Sequence, residues 1–171
     1  MKKGMLAPLP LLILFWTVAL SGFAQEEPII VQKDEFRLTL RFIGKNAEIT
    51  VRGRTTGWVA VGFDPQNKMK GADLLIGYMK DGKAFARDDF GTAVFLHSDD
   101  TKIKGLANIL SASGSEVEGF TTMTFLVARD SGDSKDAKLL KGSHKIILAA
   151  GRADDFSSKH MSRTTASILL P

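Results

Sequence analysis

Two stretches of strict alternation decide the fold class of this 171-residue chain. Phe36, Leu38, Leu40 and Phe42 alternate with Arg37, Thr39 and Arg41; Ala47, Ile49 and Val51 alternate with Glu48, Thr50 and Arg52. A repeat of two turns one face of a strand to a core and the other to water. Gly44-Lys45-Asn46 between them predicts a hairpin turn. Trp58 to Phe63 is a continuous apolar strand, broken by Asp64-Pro65-Gln66-Asn67, and Leu74 to Met79 is the next. Asp81-Gly82 predicts a tight turn into Lys83 to Arg87. Further strands are expected at Ile103 to Ser111, Glu116 to Ala128, Lys145 to Ala150 and Thr165 to Leu170. Helical periodicity is nearly absent, with Asp136 to Leu140 suited to one turn and Gln25 to Pro28 read as a loose lead-in. Many short strands joined by Gly, Asp and Asn turns predict an all-β fold, an antiparallel β-sandwich, and the spacing leaves a barrel open.

The N-terminus follows a different logic. Lys2 and Lys3 precede an apolar run from Leu11 to Leu20, and Gly22 and Ala24 supply the small residues of a signal-peptidase site before Gln25. Residues 1–24 therefore read as a signal peptide and residues 25–171 as one domain, periplasmic or secreted. The run is short for a bilayer span, which needs ~20 residues, and Pro8 and Pro10 shorten the helix further. Membrane contact is expected only if the signal stays uncleaved.

Composition excludes several chemistries. Without Lys2 and Lys3 the chain holds 21 basic and 19 acidic side chains, a net of +2, which argues against nucleic acid. With no cysteine there is no disulfide, no thiolate metal site and no thioether-linked haem. No Ser-His-Asp or Cys-His arrangement and no glycine-rich phosphate loop suggests itself, so no catalytic constellation is assigned. Asp88-Asp89 and Asp99-Asp100 lack a calcium-loop spacing and read as structural turn acids.

From Gly57-Trp58-Val59-Ala60-Val61-Gly62-Phe63 onward the chain resembles a DOMON domain. The resemblance runs through Met69-Lys70-Gly71-Ala72-Asp73, Leu74 to Tyr78, Asp81-Gly82, Asp88-Asp89, Glu118-Gly119-Phe120-Thr121, Phe125, Arg129, Ala149-Ala150-Gly151 and Lys159-His160. It implies an immunoglobulin-like sandwich with a ligand pocket. The similarity extends to the haem-b-binding branch, such as the cytochrome domain of cellobiose dehydrogenase and the DOMON domains of b-type membrane cytochromes. That branch holds iron with a methionine after the Trp strand and a histidine near the C-terminus; the matching positions are Met69 and His160. Another branch is associated with sugars or has no assigned ligand.

What this implies is a b-type cytochrome with one non-covalent haem b, its iron held by Met69 and His160, carrying single electrons. A thioether and an imidazole on opposite faces leave no free coordination position and favour ferrous iron. Both residues are expected in loops, where one end of a rigid sandwich gathers them. Lys70, Lys159 and Arg163 are placed to pair with haem propionates or an acidic partner, as is Lys68. Trp58 and Phe63 either line the porphyrin or pack in the core. His97 reads as a turn residue, His144 opens a strand, and Met79 and Met123 read as core. The chain carries no flavin or membrane cytochrome domain, so its donor or acceptor is expected to be a separate redox protein. The alternative is a haem-free module for a carbohydrate or other small molecule, weakened by the scarcity of Trp and Tyr: two and one, with Trp16 in the signal.

Overall fold

The alternating pair forms as expected and sets the core. In the computed structural model, which describes residues 27–171, β2 (Phe36–Ile43) and β3 (Asn46–Gly53) pair antiparallel, Leu40 opposite Ile49. Leu38, Leu40, Ile49 and Val51 are fully buried. Gly44 takes φ 60°, the positive value that the first corner of a two-residue hairpin needs.

Two sheets result, joined throughout by antiparallel pairs. One has five strands in the order β1-β2-β3-β9-β8, the other six in the order β11-β10-β4-β5-β6-β7. The remaining strands are β1 (Ile29–Lys33), β4 (Val59–Phe63), β5 (Asp73–Lys80), β6 (Lys83–Ala93), β7 (Leu96–Asp99), β8 (Ile109–Val117), β9 (Phe120–Ala128), β10 (Gly142–Gly151) and β11 (His160–Leu170). Two separate sheets make this a sandwich and remove the barrel. Met123 and Phe125 from one sheet meet Val61, Phe63, Ile146 and Leu148 from the other in one core cluster. Removing that apolar surface from water, at roughly 25 cal/mol per Å², is the main force holding the layers together.

Several boundaries differ from the sequence reading, each for a local reason. Glu116 to Ala128 is two strands, because Glu118 and Gly119 both adopt positive φ (52° and 77°) and turn the chain back. Ile103 to Ser111 begins instead as a one-turn 3-10 helix, Asp100–Ile103, capped by the Asp99 side chain. Asp136 to Leu140 forms no helix; it belongs to an irregular connection over 129–141. Ile29–Lys33, next to the supposed lead-in, is an edge strand paired with β2. The last strand starts at His160, since Gly151 at the end of β10 pairs with it past a register shift. The proposed signal lies outside the described residues. Among those described, no helix is long and apolar enough to cross a membrane.

Candidate functional site

The runs at 58–63 and 74–78 are apolar without alternation, which means strands covered on both faces. Val59, Val61 and Phe63 point into the inter-sheet core, while Trp58, Ala60, Ala72, Leu74, Ile76 and Tyr78 form a second buried cluster on the outer face. Register aligns this face across three strands: Ala60 lies beside Ile76 and Ala149, and Gly62 beside Leu74 and Ile147. A side chain at Gly62 would collide with Leu74 and Ile147, so the surface stays low there.

Two segments flank and cover this face. The first is the loop of residues 64–72, which carries Met69. It is held by hydrogen bonds from the Lys70 amide to the Asn67 carbonyl (2.9 Å) and from the Ala72 amide to the Met69 carbonyl (2.9 Å). It is pinned to β6 where Gly71 donates to Gly91 (2.7 Å) and Gly91 donates to Ala72 (2.8 Å). Gly91 admits no Cβ, because the Met69 carbonyl occupies that space. His144 supports the loop base: its Nδ1 lies 2.7 Å from Asp64 and its Nε2 2.8 Å from the Leu140 carbonyl.

The second segment is 152–159, leading into His160. Asp155 accepts from the Ser157 and Ser158 amides (2.8 and 2.7 Å), which holds its carboxyl below the usual carboxylate range. Trp58 donates its indole N–H to Ser158 (2.9 Å), and its ring lies against Gly151, where any Cβ would strike it. Gly57 is equally constrained, by the backbone at Arg152 and Ala153. Phe156 reaches across the face to Tyr78, ring centroids 4.9 Å apart, and Arg87 stacks on Phe156 at 4.7 Å. Arg87 also donates to the Phe156 carbonyl (3.2 Å) and to the fully buried Asp89 (2.5 and 2.6 Å). Burial of Asp89 works against ionisation, but hydrogen bonds from His97 and Arg87 prevail and lower its pKa.

The expected site residues separate into three places. His160, Lys159, Arg152 and Met161 line an open cavity of about 330 Å³, and Arg163 Nη1 lies 3.4 Å from His160 Nε2. Trp58 borders it through Ser158. Met69 and Lys70 sit on the loop pinned to β6, outside that lining, with Met69 half-buried and Lys70 exposed. Phe63 is 1% exposed in the inter-sheet core, so of the two readings for this residue the packing one holds. Met123 is likewise core. His97 is no turn residue: it lies on β7 and bonds Asp89. Of the three histidines, His144 and His97 are tied to carboxylates, and His160 has no such partner among the described residues. The outer face, Phe156 and the Arg87–Asp89–His97 set were missed from sequence; the unbroken apolar runs were the available signal for the face.

A model of the DOMON domain matches residues 32–151. The chain belongs to the DOMON family. Two solved structures share this DOMON fold. One is the cytochrome b domain of pyranose dehydrogenase from Coprinopsis cinerea, with 12% identity, TM-score 0.59, and coverage of 83% of this chain and 80% of that one. The other is the cytochrome domain of Myriococcum thermophilum cellobiose dehydrogenase, with 8% identity, TM-score 0.56, and coverage of 84% and 82%. In sequence, 55 residues are 33% identical to MOXD1 homolog 2 of Drosophila melanogaster, spanning 32% of this chain and only 7% of that protein.

Proposed function

We propose that this DOMON domain is an exported b-type cytochrome that carries one non-covalent haem b against the outer face of the six-stranded sheet and passes single electrons to a separate redox protein. The observation that carries the reading is the buried, low apolar face itself, bordered by a methionine loop at the Phe63 end of β4 and, beyond its Trp58 end, by an imidazole that has no carboxylate partner among the described residues.

The residues present fit the group. Ala60, Gly62 and Ala149 keep the surface flat, and Leu74, Ile76 and Ile147 make it apolar. Met69 and His160 supply a soft thioether and an imidazole. When bound, haem supplies one-electron chemistry between ferric and ferrous iron. Lys70 beside Met69, and Lys159, Arg163 and Arg152 beside His160, offer cationic partners for the propionates. Trp58, fixed by Ser158, and Phe156 exclude water from the Tyr78 end of the face. The segment that carries Phe156 over the face is the one that leads into His160, so seating a ligand and placing the imidazole involve the same eight residues, 152–159.

The test is titration of the purified mature chain with hemin, followed by visible spectra before and after reduction. Sharp reduced α and β bands are expected. Met69→Ala and His160→Ala should each convert the spectrum towards five-coordinate iron, while His144→Gln should not. Unchanged spectra in both ligand variants would reject the assignment, and a colourless chain that binds oligosaccharide would install the carbohydrate reading in its place. Export by cleavage before Gln25 is checked by N-terminal sequencing of the secreted protein.

A further inference from the structure

The inner side of the same sheet holds a second constellation. Asp73 on β5 and Asp88 on β6 face the core side near Phe63 and Leu75, where a cavity of about 10 Å³ is lined by both acids with Asn108 and Asp136. Asp136 comes from the irregular 129–141 connection, as does Asp133; Asp100 opens the 3-10 turn after β7. Ligand oxygens of Asp73, Asp88 and Asp136 lie within 4.8 Å of one another, and so do those of Asp100, Asp133 and Asp136.

An acidic cluster alone says little; the unsatisfied oxygens within it say more. Asp73, Asp88 and Asp136 each use one carboxylate oxygen. Asp73 accepts from the Ala137 amide (2.9 Å), Asp88 from the Asn108 amide (3.0 Å), and Asp136 from the Asn108 side-chain amide (2.6 Å). Asp133 accepts from the Leu106 and Lys135 amides (2.6 and 3.0 Å). One carboxylate oxygen each of Asp88, Asp100 and Asp136 is buried with no partner. Asp88 is 4% exposed and Asp100 1% exposed. Among the described residues, no Lys, Arg or His forms an ion pair with any of the five acids. Lys135 is the cation whose field reaches Asp100, and its ammonium rests on the Phe90 ring at 5.1 Å. Orphaned buried carboxylate oxygens are costly, and two adjoining triads of carboxylates that share Asp136 are an arrangement a bound cation satisfies.

We propose that Asp73, Asp88 and Asp136, with Asp100 and Asp133 alongside, form a calcium-class divalent cation site that clamps the 129–141 connection onto the β5–β6 edge of the sandwich. The donors are all hard oxygens, without a sulfur or imidazole, which selects calcium over zinc or copper. Calcium holds oxygens at about 2.3–2.6 Å, so opposite ligands stand about 5 Å apart, the spread observed here. The small cavity admits an ion and little else. The ligands come from four separate segments, which explains why no calcium-loop spacing marks the sequence. This site is independent of the outer face and of any haem.

The test uses the mature chain stripped with a chelator, then titrated with calcium chloride by calorimetry and thermal melting. Calcium should bind with a Kd at or below about 1 mM, the range of extracellular modules, and raise the melting temperature. Magnesium should bind at least tenfold more weakly. Asp88→Asn and Asp136→Asn should each abolish the calcium response, and Asp130→Asn, which breaks only the surface pair with Lys138, should leave it intact. If Asp88→Asn does not fold, the half-buried Asp136→Asn decides alone. A folded wild-type chain with no heat and no melting shift in millimolar calcium overturns the site, and an equal response to magnesium overturns the calcium assignment.

Discussion

Asp88 and Asp89 are neighbours on β6 and face opposite sides of one sheet. Asp89 turns outward, is fully buried, and has both oxygens taken by Arg87 and His97. Asp88 turns inward, is nearly as buried, and has one oxygen with no partner. Burial opposes charge at both positions. On the outer side the hydrogen-bonded cations overcome it and the pKa falls; on the inner side burial pushes the carboxyl up to about 7, with Asp136, Asp100 and Asp89 adding like charge and the Asn108 amide opposing. Asp100 is raised to about 7 in the same way, by burial first and Asp136 next. Identical side chains one residue apart therefore have opposite thermodynamic roles: Asp89 is satisfied within the protein, and Asp88 requires a proton or a metal.

The largest expected break in this contrast is Asp89→Asn. It leaves Arg87 without its carboxylate beneath Phe156 and should cost about 3 kcal/mol in chemical denaturation, whereas Asp88→Asn in calcium-free buffer at neutral pH should raise stability. The pH dependence is the next effect. The folded Asp88 pKa, about 7, stands above the ordinary value of 3.8, so the native state holds the proton more tightly than the unfolded chain. Its contribution to stability is then fully present below about pH 4 and lost as pH rises towards 7, in the metal-free protein. Melting temperatures across that window should fall with pH, Asp88→Asn should flatten the fall, and calcium should reverse it near neutrality. A profile that rises over the same window would mean the inner acids are already paired. The smallest effect is at Trp58 on the outer side. Trp58→Phe removes one hydrogen bond to Ser158 and should cost about 1 kcal/mol, read as a modest melting shift with the calcium response unchanged.

Much of the fold was legible because a strand writes its burial locally. Phe36 to Phe42 and Ala47 to Val51 declare one wet and one dry face by alternation alone, and Asp81-Gly82 declares its turn by the need for positive φ. The start of β11 was not legible, since His160 extends the strand only because Gly151 is there to pair with it. Phe63 shows the limit within a single strand: in a run apolar on both sides, residue type cannot tell inner from outer, and only register against Asp73 and Ile146 decides. The acid pair at 88–89 was read as one structural feature, and strand geometry splits it between two environments.

By itself, the order of residues determined the all-β class, most of the strands and the family, because each rests on patterns spanning a few neighbouring positions. The tertiary structure alone decided which side chains meet. Asp73, Asp88 and Asp136 converge, and Met69 and His160 fall on separately anchored segments, through pairings between segments far apart in the chain. Burial and charge compensation are properties of that convergence, and no local pattern encodes them.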